Sequence, residues 1–178
     1  MPRDRALKRP PPPLGPASLE RLAIRYVERF QTTRGKLVDY LRRKVRERGW
    51  EGEPADPEAL AQRMVTLGYV DDRAFAEARA AALGRRGLGA RRVTGALRAA
   101  RVGEEDAEHV RPAVEADATA AALRFARRKR LGPFGAPPVD RAARDKQLAA
   151  MLRAGHPFDL ARRVLAMTPD APELDDPG

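Results

Sequence analysis

The sequence predicts an all-α protein made of three tandem three-helix repeats, and three observations lead to this fold class. Apolar residues recur at intervals of three and four along most of the chain, which is the period of an amphipathic helix. No stretch of useful length alternates apolar and polar residues, so we predict no β-strand. The helical pattern also recurs along the chain. Equivalent aliphatic pairs occupy the second helix of each repeat: Leu37 and Leu41, Val93 and Leu97, and Leu148 and Leu152.

The repeats are predicted to span residues 18–70, 71–116 and 117–168. Each repeat is expected to bury its apolar faces mainly against its neighbour, which is how solenoid proteins are built. We therefore expect an elongated, curved rod, a solenoid of the right-handed type.

Both ends of the chain are predicted to lie outside this fold. Residues 1–17 contain the proline run Pro10–Pro13 and several basic residues, which favours a disordered, extended basic arm. Residues 169–178 are predicted to form a disordered acidic tail. The N-terminus lacks the apolar segment of a secretory signal, and no stretch approaches the ~20 apolar residues of a membrane span, so we expect a cytoplasmic protein.

The helices of the first repeat have clear start and stop signals. Ser18 is predicted to be the N-cap of the first helix, which then carries apolar residues at helical spacing as far as Phe30. Gly49 is expected to end the second helix. Asp56 followed by Pro57 marks the start of the third, because an acidic N-cap and a proline in the first turn both favour a helix start.

A short segment joins the first repeat to the second. Gly68 is predicted to end the preceding helix in the left-handed conformation, with Tyr69 and Val70 folding back as its apolar contact. Asp71 or Asp72 then supplies the N-cap oxygen of the next helix. The other carboxylate is expected near the positive end of that helix dipole.

Two glycines, Gly87 and Gly89, are predicted to end the following helix and to turn the chain. Spacing assigns the inward face of that helix to four residues: Phe75, Ala78, Ala82 and Leu83. Further along, Pro112 is expected to kink the sixth helix, and His156 is predicted to be the N-cap of the last one.

The run from Gly68 to Asp72, with Arg73, Phe75 and Ala76 after it, resembles the hallmark segment of the RecX family, bacterial regulators of the RecA recombinase. Gly87 and Gly89, followed by Arg92, Val93 and Leu97, fall where that family places a Gly-x-Gly corner and an arginine–aliphatic–leucine helix. The resemblance covers residues 19–167. It implies a regulator of homologous recombination and DNA repair that binds the RecA–single-stranded DNA filament. It further implies that the protein limits filament extension, ATP hydrolysis, strand exchange and coprotease activity.

The charge balance indicates an anionic partner. The formal net charge is +10, and all but five of the basic residues are arginine. Arginine holds phosphates and carboxylates through paired hydrogen bonds, so a polyanion or an acidic protein surface is the expected partner. A GC-rich genome explains the ratio of arginine to lysine equally well, but it does not explain the net charge.

The basic residues gather in the middle helix and the corner of each repeat, and no acidic residue lies between Leu83 and Arg101. The residues predicted to bind the partner or DNA are Arg85, Arg86, Arg91, Arg92 and Arg98 in the second repeat, Arg42 and Arg43 in the first, and Arg127, Arg128, Lys129 and Arg130 in the third. Most of the nine aromatic residues occupy predicted inward positions, so base-stacking platforms are not expected. Contact with phosphates or with an acidic groove is favoured instead.

No pattern in the sequence indicates catalysis. Ser18 is the only serine, there is no cysteine, and His109 and His156 lie in different repeats without metal-ligand spacing. The chain also lacks the glycine-rich phosphate loop of ATP-binding proteins. We therefore predict a protein that is not an enzyme and that needs neither a cofactor nor a metal.

Two functions are compatible with these residues. The resemblance implies a monomeric protein whose partners are the RecA filament and single- and double-stranded DNA, with no membrane partner. The alternative is a helical protein that binds DNA or RNA without sequence preference and without a recombinase target.

Overall fold

The computed structural model describes residues 12–168, and these residues form an all-helical fold. This confirms the predicted fold class: the only strand-like pairing in the described part of the chain is an isolated parallel bridge between Leu14 and Trp50. The helices are α1 (Pro16–Arg29), α2 (Arg34–Arg48), α3 (Pro57–Thr66), α4 (Asp72–Arg85), α5 (Ala90–Ala99), α6 (Glu104–His109), α7 (Arg111–Ala116), α8 (Ala118–Lys129), a 3₁₀ turn (Gly132–Phe134), α9 (Arg141–Arg153) and α10 (Phe158–Ala166).

The predicted sixth helix is split into the two short helices α6 and α7. Val110 separates them, and Pro112 lies in the first turn of α7. Proline has no N–H to give to the carbonyl one turn back, which is the expected cause of the break. Counted as one kinked segment, α6 and α7 leave nine helical segments between residues 12 and 168.

The chain divides into two compact units, Met1–Asp71 and Asp72–Gly178. The division falls next to the predicted end of the first repeat. The predicted second and third repeats lie together in the second unit. The three-repeat boundaries and the solenoid rod stay predictions.

The core of the first unit is aliphatic and also includes a residue from the predicted arm. Leu14 is fully buried, and its backbone bonds to both neighbours of Trp50: its N–H donates to the Gly49 carbonyl (3.0 Å), and its carbonyl accepts from the Glu51 N–H (2.9 Å). The buried members of this core are Leu14, Leu19, Ala23, Leu37, Val38, Leu41, Ala61, Met64 and Val70.

The expectation that residues 1–17 lie wholly outside the fold is therefore wrong for residues 12–17. Helix α1 begins at Pro16, where a missing N–H costs nothing, and Gly15 is its N-cap. Ser18 is not the N-cap; it lies three residues further on, and its hydroxyl accepts from the Gly15 N–H at 2.8 Å. Residues 1–11 and the predicted acidic tail, 169–178, lie outside the described residues.

The second unit contains two apolar clusters. One joins α4, α5 and the α6–α7 segment through buried residues that include Ala76, Ala80 and Leu83; the other joins α8, α9 and α10. The predicted inward face of α4 is confirmed at Leu83, is only half-buried at Phe75 and Ala82, and is wrong at Ala78, which is exposed. The buried stripe instead consists of the small residues Ala76 and Ala80 with Leu83, which also have helical spacing.

His156 is a buried core residue, not an N-cap. The N-cap of α10 is Pro157, and His156 is fully buried with its Nε2 3.1 Å from the carbonyl oxygen of Gly87. A hydrogen bond to a carbonyl oxygen on another element holds the imidazole ring in the core. The sequence pattern predicts only a local contact at the start of the last helix.

Candidate functional site

The arginines predicted to bind the partner surround the turn between α4 and α5. We call Arg85, Arg86, Arg91, Arg92 and Arg98 the basic corner. Gly87 ends helix α4 as predicted, and its backbone is left-handed, with φ 70°. The N–H of Gly87 donates to the Gly84 carbonyl (2.7 Å), and the N–H of Leu88 donates to the Leu83 carbonyl (3.0 Å), which is the pairing of a Schellman cap.

The basic corner is held from behind by the turn between α9 and α10. The Gly89 N–H donates to the Ala154 carbonyl at 2.9 Å, and the Arg91 N–H donates to the Gly155 carbonyl at 3.3 Å. His156 adds its bond to the Gly87 carbonyl. These contacts join two turns that are far apart in the sequence, and we call the joint the glycine clasp (Gly87, Gly89, Gly155 and His156).

Glycine is required at positions 87 and 89 because the backbone of another element lies almost in contact with each of them. A Cβ atom at Gly89 would lie 2.5 Å from the carbonyl of Gly155, and one at Gly87 would lie 2.6 Å from the backbone nitrogen of Phe125. No side chain fits at these distances. The predicted glycine corner is thus a packing joint as well as a helix terminator.

Helix α8 supports the corner with two arginine side chains. Arg124 donates from Nε to the Gly84 carbonyl (3.1 Å) and pairs with Asp117 (2.5 Å). Arg128 donates to the backbone carbonyl of Arg86, with its guanidinium 5.5 Å from the centre of the Phe125 ring. Arg128, predicted to bind a partner, is therefore engaged within the unit.

The side chains of the basic corner are exposed and carry uncompensated charge. Within residues 12–168, none of the five forms an ion pair with a carboxylate. Arg91 and Arg98 are seven residues apart on α5, so both lie on one face of that helix. The structure thus brings the five predicted arginines of the second repeat onto one turn and its adjoining helix, facing solvent.

The other predicted basic residues have different surroundings. In the first unit, Arg42 pairs with Glu58, and Arg43 lies 3.7 Å from Glu47. In the second unit, Arg127 covers the ring of Phe134 at 5.1 Å, and Arg130 ends α8 with φ 54°. Lys129 is exposed beside them. The structure therefore joins Arg128 to the basic corner and leaves Arg42 and Arg43 in the first unit.

The segment from Gly68 to Phe75 has mainly a structural role in the described residues. Gly68 has φ 77°, and its cap is closed by the N–H of Tyr69, which donates to the Met64 carbonyl at 2.9 Å. Val70 is buried as the predicted apolar contact, whereas Tyr69 is exposed. Asp71 directly precedes α4, and Asp72 is its first residue.

Sequence reasoning missed a cluster of aromatic and basic residues in the first unit. The rings of Tyr26 and Tyr40 stack at 4.2 Å, and Phe30 lies 5.2 Å from Tyr26. Arg29 lies over Phe30, and Arg43 and Lys44 lie over Tyr40, at 5.4, 5.6 and 5.9 Å. We call these six residues the aromatic–basic cluster.

The expectation that most aromatic residues face inward holds only in part. Of the nine, Phe125 alone is buried, five are half-buried, and Phe30, Tyr69 and Phe158 are exposed. The signal that could have revealed the cluster is its spacing. Tyr26 and Phe30 are four residues apart on one helix, and Tyr40, Arg43 and Lys44 are three and four apart on the next.

The second unit also contains a groove of about 750 Å³ beside the basic corner. Its floor is apolar and includes Ala80, Val93 and Val110. Ionisable groups at its edge already have partners, since His109 lies 2.9 Å from Glu77 and Arg124 pairs with Asp117. Arg85 is the one lining charge of this groove without an ion pair in the described chain.

The described part of the chain contains neither a metal site nor a membrane helix. No group of three or more His, Asp or Glu side chains within residues 12–168 is placed to hold a metal ion. None of the helices in that range has the length and apolar character needed to cross a membrane.

Known proteins resemble this chain over most of its length. It is 35% identical over 181 residues to the regulatory protein RecX of Myxococcus xanthus (strain DK1622), covering 94% of each chain. It is 30% identical over 155 residues to the regulatory protein RecX of Agrobacterium fabrum (strain C58), covering 85% of this chain and 83% of the relative. No protein-family model matches the sequence.

A solved structure shares the fold. The crystal structure of RecX from Lactobacillus salivarius superposes with a TM-score of 0.60 over 84% of this chain and 93% of that one. Sequence identity between the two is 15%, so this similarity concerns the fold alone.

Proposed function

The chain belongs to the RecX family of regulatory proteins, and from that premise we propose that it binds the RecA–single-stranded DNA filament and limits its activity. The proposed effects are reduced filament extension, ATP hydrolysis, strand exchange and coprotease activity. In this proposal the protein acts as a monomer, by binding and without catalysis. Its partners are the RecA filament and both single- and double-stranded DNA.

The observation that supports an anionic partner most directly is the state of the basic corner. Five exposed arginines share one turn and helix, and none is neutralised by a carboxylate of the described chain. Many surface arginines elsewhere in the molecule, such as Arg63 with Glu20 and Arg73 with Glu105, do have acidic partners. A guanidinium left free and held on a rigid turn is suited to phosphate oxygens or to carboxylates of a partner protein.

The second candidate function is nucleic-acid binding without a recombinase target. The same arginines support it, because phosphate contacts alone give affinity without sequence preference. The two functions differ in how much of the protein is needed to slow ATP hydrolysis by RecA filaments. A filament regulator should slow ATP hydrolysis by preformed RecA filaments at amounts well below one protein per RecA subunit. A simple competitor should act only once it saturates the DNA.

The basic corner can be tested by charge reversal. We expect Arg91→Glu with Arg92→Glu to abolish most filament inhibition and to lower the salt dependence of DNA binding, by about one unit of slope for each phosphate that the variant no longer neutralises. Fold stability should change by no more than about 0.5 kcal/mol per exposed site. Thermal unfolding of the variant checks this.

A matched control lies in the same unit. Lys146→Glu with Arg163→Glu makes the same change in net charge at exposed residues that form no ion pair in the described chain. If both double variants lose filament inhibition equally, diffuse electrostatics explains binding and the basic corner is not the site. Arg127→Glu with Arg128→Glu is a weaker control, because Arg128 also supports the Arg86 carbonyl.

A further inference from the structure

The aromatic–basic cluster has the composition of a single-strand binding surface, although it lies in the other unit from the basic corner. Three rings, Phe30, Tyr26 and Tyr40, follow one another at centre-to-centre distances of 5.2 and 4.2 Å. The last pair is nearly parallel, with 19° between the ring planes. The rings of Phe30 and Tyr26 are tilted by 48°, so the three rings form a short column in which only the tyrosines are stacked.

One end of the column is open to solvent. Phe30 is 49% exposed, whereas both tyrosines are half-buried between α1 and α2 and pack against the core of the first unit. Phe30 is the C-cap of α1, and its N–H donates to the Tyr26 carbonyl at 3.0 Å. Its backbone is therefore fixed, so the ring presents its exposed surface without the entropy cost of ordering a loop.

Cations flank the column at both ends. Arg29 lies over Phe30, and no carboxylate within the described chain pairs with it. At the other end, Arg43 and Lys44 lie over Tyr40 and share Glu47, which is 3.7 Å from one and 2.7 Å from the other. Lys44 is the main cause of the lowered pKa of Glu47, so this carboxylate is ionised and partly offsets the two cations. The open end at Phe30 thus carries the unpaired positive charge.

A ring that is exposed on a rigid support and bordered by free positive charge matches one ligand chemistry. Unpaired bases stack on aromatic rings, and the phosphates on either side of the base are held by nearby arginine and lysine. A duplex does not offer this contact, because its bases are already stacked on one another. An apolar protein anchor would also cover Phe30, but it would not need the cation beside it.

We propose that the aromatic–basic cluster binds single-stranded nucleic acid, with an unpaired base stacked on Phe30 and an adjacent phosphate held by Arg29. The Tyr26 ring packs against Phe30 at an angle of 48° and supports it from the core side. The proposal rests on the proposed function in requiring nucleic acid to be a ligand. It adds a second contact site that discriminates single strands from duplexes.

The test compares Phe30→Leu with the wild-type protein in binding to three fluorescently labelled probes: oligo(dT), an oligonucleotide of the same length with abasic sites, and a duplex. We expect the variant to bind oligo(dT) about fivefold to a hundredfold more weakly, as for removal of one base stack. Binding to the abasic strand and to the duplex should be unchanged. The salt dependence should also be unchanged, because every phosphate contact is kept. Phe30→Tyr, which keeps an aromatic face, should restore binding to oligo(dT).

Phe158→Leu is the matched control. Phe158 is also 49% exposed and has an arginine, Arg162, over its ring at 5.7 Å, but no second ring stacks behind it in the described structure. This variant should bind all three probes like the wild type. Arg29→Gln should instead reduce the salt dependence of binding to oligo(dT), by about 0.7 unit of slope for one phosphate contact on a single strand.

Each other outcome overturns the proposal. Equal binding of oligo(dT) by Phe30→Leu and the wild type would show that no base stacks there, and an equal loss on all three probes would show that Phe30 supports the structure and does not contact a base. If a variant bound every probe normally but no longer inhibited RecA filaments, the cluster would instead be a site that contacts the RecA protein. Failure of the proposed function is a separate result: wild-type protein that binds oligo(dT) yet leaves RecA filaments unchanged.

Discussion

The ring of His156 has one nitrogen satisfied and one not. Since a carbonyl oxygen only accepts, Nε2 carries the hydrogen that is donated to Gly87, and Nδ1 is left with a bare lone pair and no partner in the described structure. Protonation would place an N–H at Nδ1 where nothing accepts it. Burial accordingly lowers the pKa of His156, with the Gly87 bond opposing that shift.

This lowered pKa predicts that acid destabilises the protein. The unfolded chain takes up a proton on His156 at an ordinary pKa of about 6.5, whereas the folded chain does so only at lower pH. The contribution of neutral His156 to the free energy of unfolding is therefore complete above about pH 6.5 and is lost as the pH falls through the folded pKa. Urea unfolding at a series of pH values between 7.5 and 5 measures the loss.

One variant separates His156 from other titrating groups. His156→Gln should have a smaller difference in unfolding free energy between high and low pH than the wild type. An unchanged difference in His156→Gln would mean that acid acts elsewhere.

Replacing glycine by alanine is expected to have opposite effects on stability at Gly89, the N-cap of α5, and at Gly95, inside that helix. At Gly89 the backbone is extended (φ −80°), so alanine causes no strain in φ, but its Cβ would meet the Gly155 carbonyl. We expect Gly89→Ala to destabilise by about 1–3 kcal/mol, as overpacking usually does. At Gly95, inside α5, nothing lies within 4 Å of a Cβ, so Gly95→Ala should stabilise by up to about 1 kcal/mol. Chemical unfolding of the two variants checks both signs; stabilisation by Gly89→Ala would contradict the clasp.

Among the structural elements, some helix ends are predicted correctly, whereas the N-caps assigned to Ser18 and His156 are not. Asp56 accepts from the Ala59 N–H at 2.9 Å and Gly49 ends α2, both as the sequence indicates, because caps depend on a few neighbouring residues. The inward face of α4 could not be settled in the same way. Phe75 and Ala76 lie in overlapping periodic stripes, and only the packing of other elements decides between them. Leu14 was missed because its bonds are to residues near Trp50, far along the chain.

The segment before α1 should contribute strongly to the stability of the first unit. Leu14→Ala removes a fully buried side chain that also anchors the pairing with residues 49–51, so we expect a loss of about 2–5 kcal/mol. Val139→Ala is the control, since Val139 is 92% exposed and should change stability by no more than about 0.5 kcal/mol. Thermal and urea unfolding measure both. A Leu14→Ala variant as stable as the control would show that the segment is only loosely attached.

For the whole molecule, sequence periodicity predicts where the apolar faces of helices lie but not the units that the helices form. Equal spacing of similar helices says nothing about which apolar faces meet. The α4–α5 turn and the α9–α10 turn are joined by backbone contacts at glycines and by a buried histidine. Contacts of this kind produce no periodic pattern in the sequence. Charge is more informative, since the run of arginines without an acid contains the residues of the basic corner, which the structure leaves exposed and without a carboxylate partner in the described chain.

The predicted second and third repeats should unfold as one cooperative unit. Leu88 packs against both apolar clusters of α4–α10, and the glycine clasp joins the same two regions. Hydrogen exchange in increasing urea should therefore show the amides of α5 and α8 becoming unprotected together. Leu88→Ala should lower the protection of both helices. Exchange of α8–α10 at a lower urea concentration than α4 and α5 would contradict this expectation.

The glycine clasp also affects how a genetic screen of this protein should be interpreted. Any side chain at Gly89 or Gly155 pushes apart two turns that are more than sixty positions distant in the sequence, and the arginines of the basic corner move with them. Random mutagenesis selected for loss of regulation should therefore yield substitutions at these glycines as often as at the arginines. Alleles at Gly155 would look like alleles of the binding surface although that residue is buried. When one turn of the glycine clasp carries a harmful substitution, a compensating second substitution is then expected in the other turn.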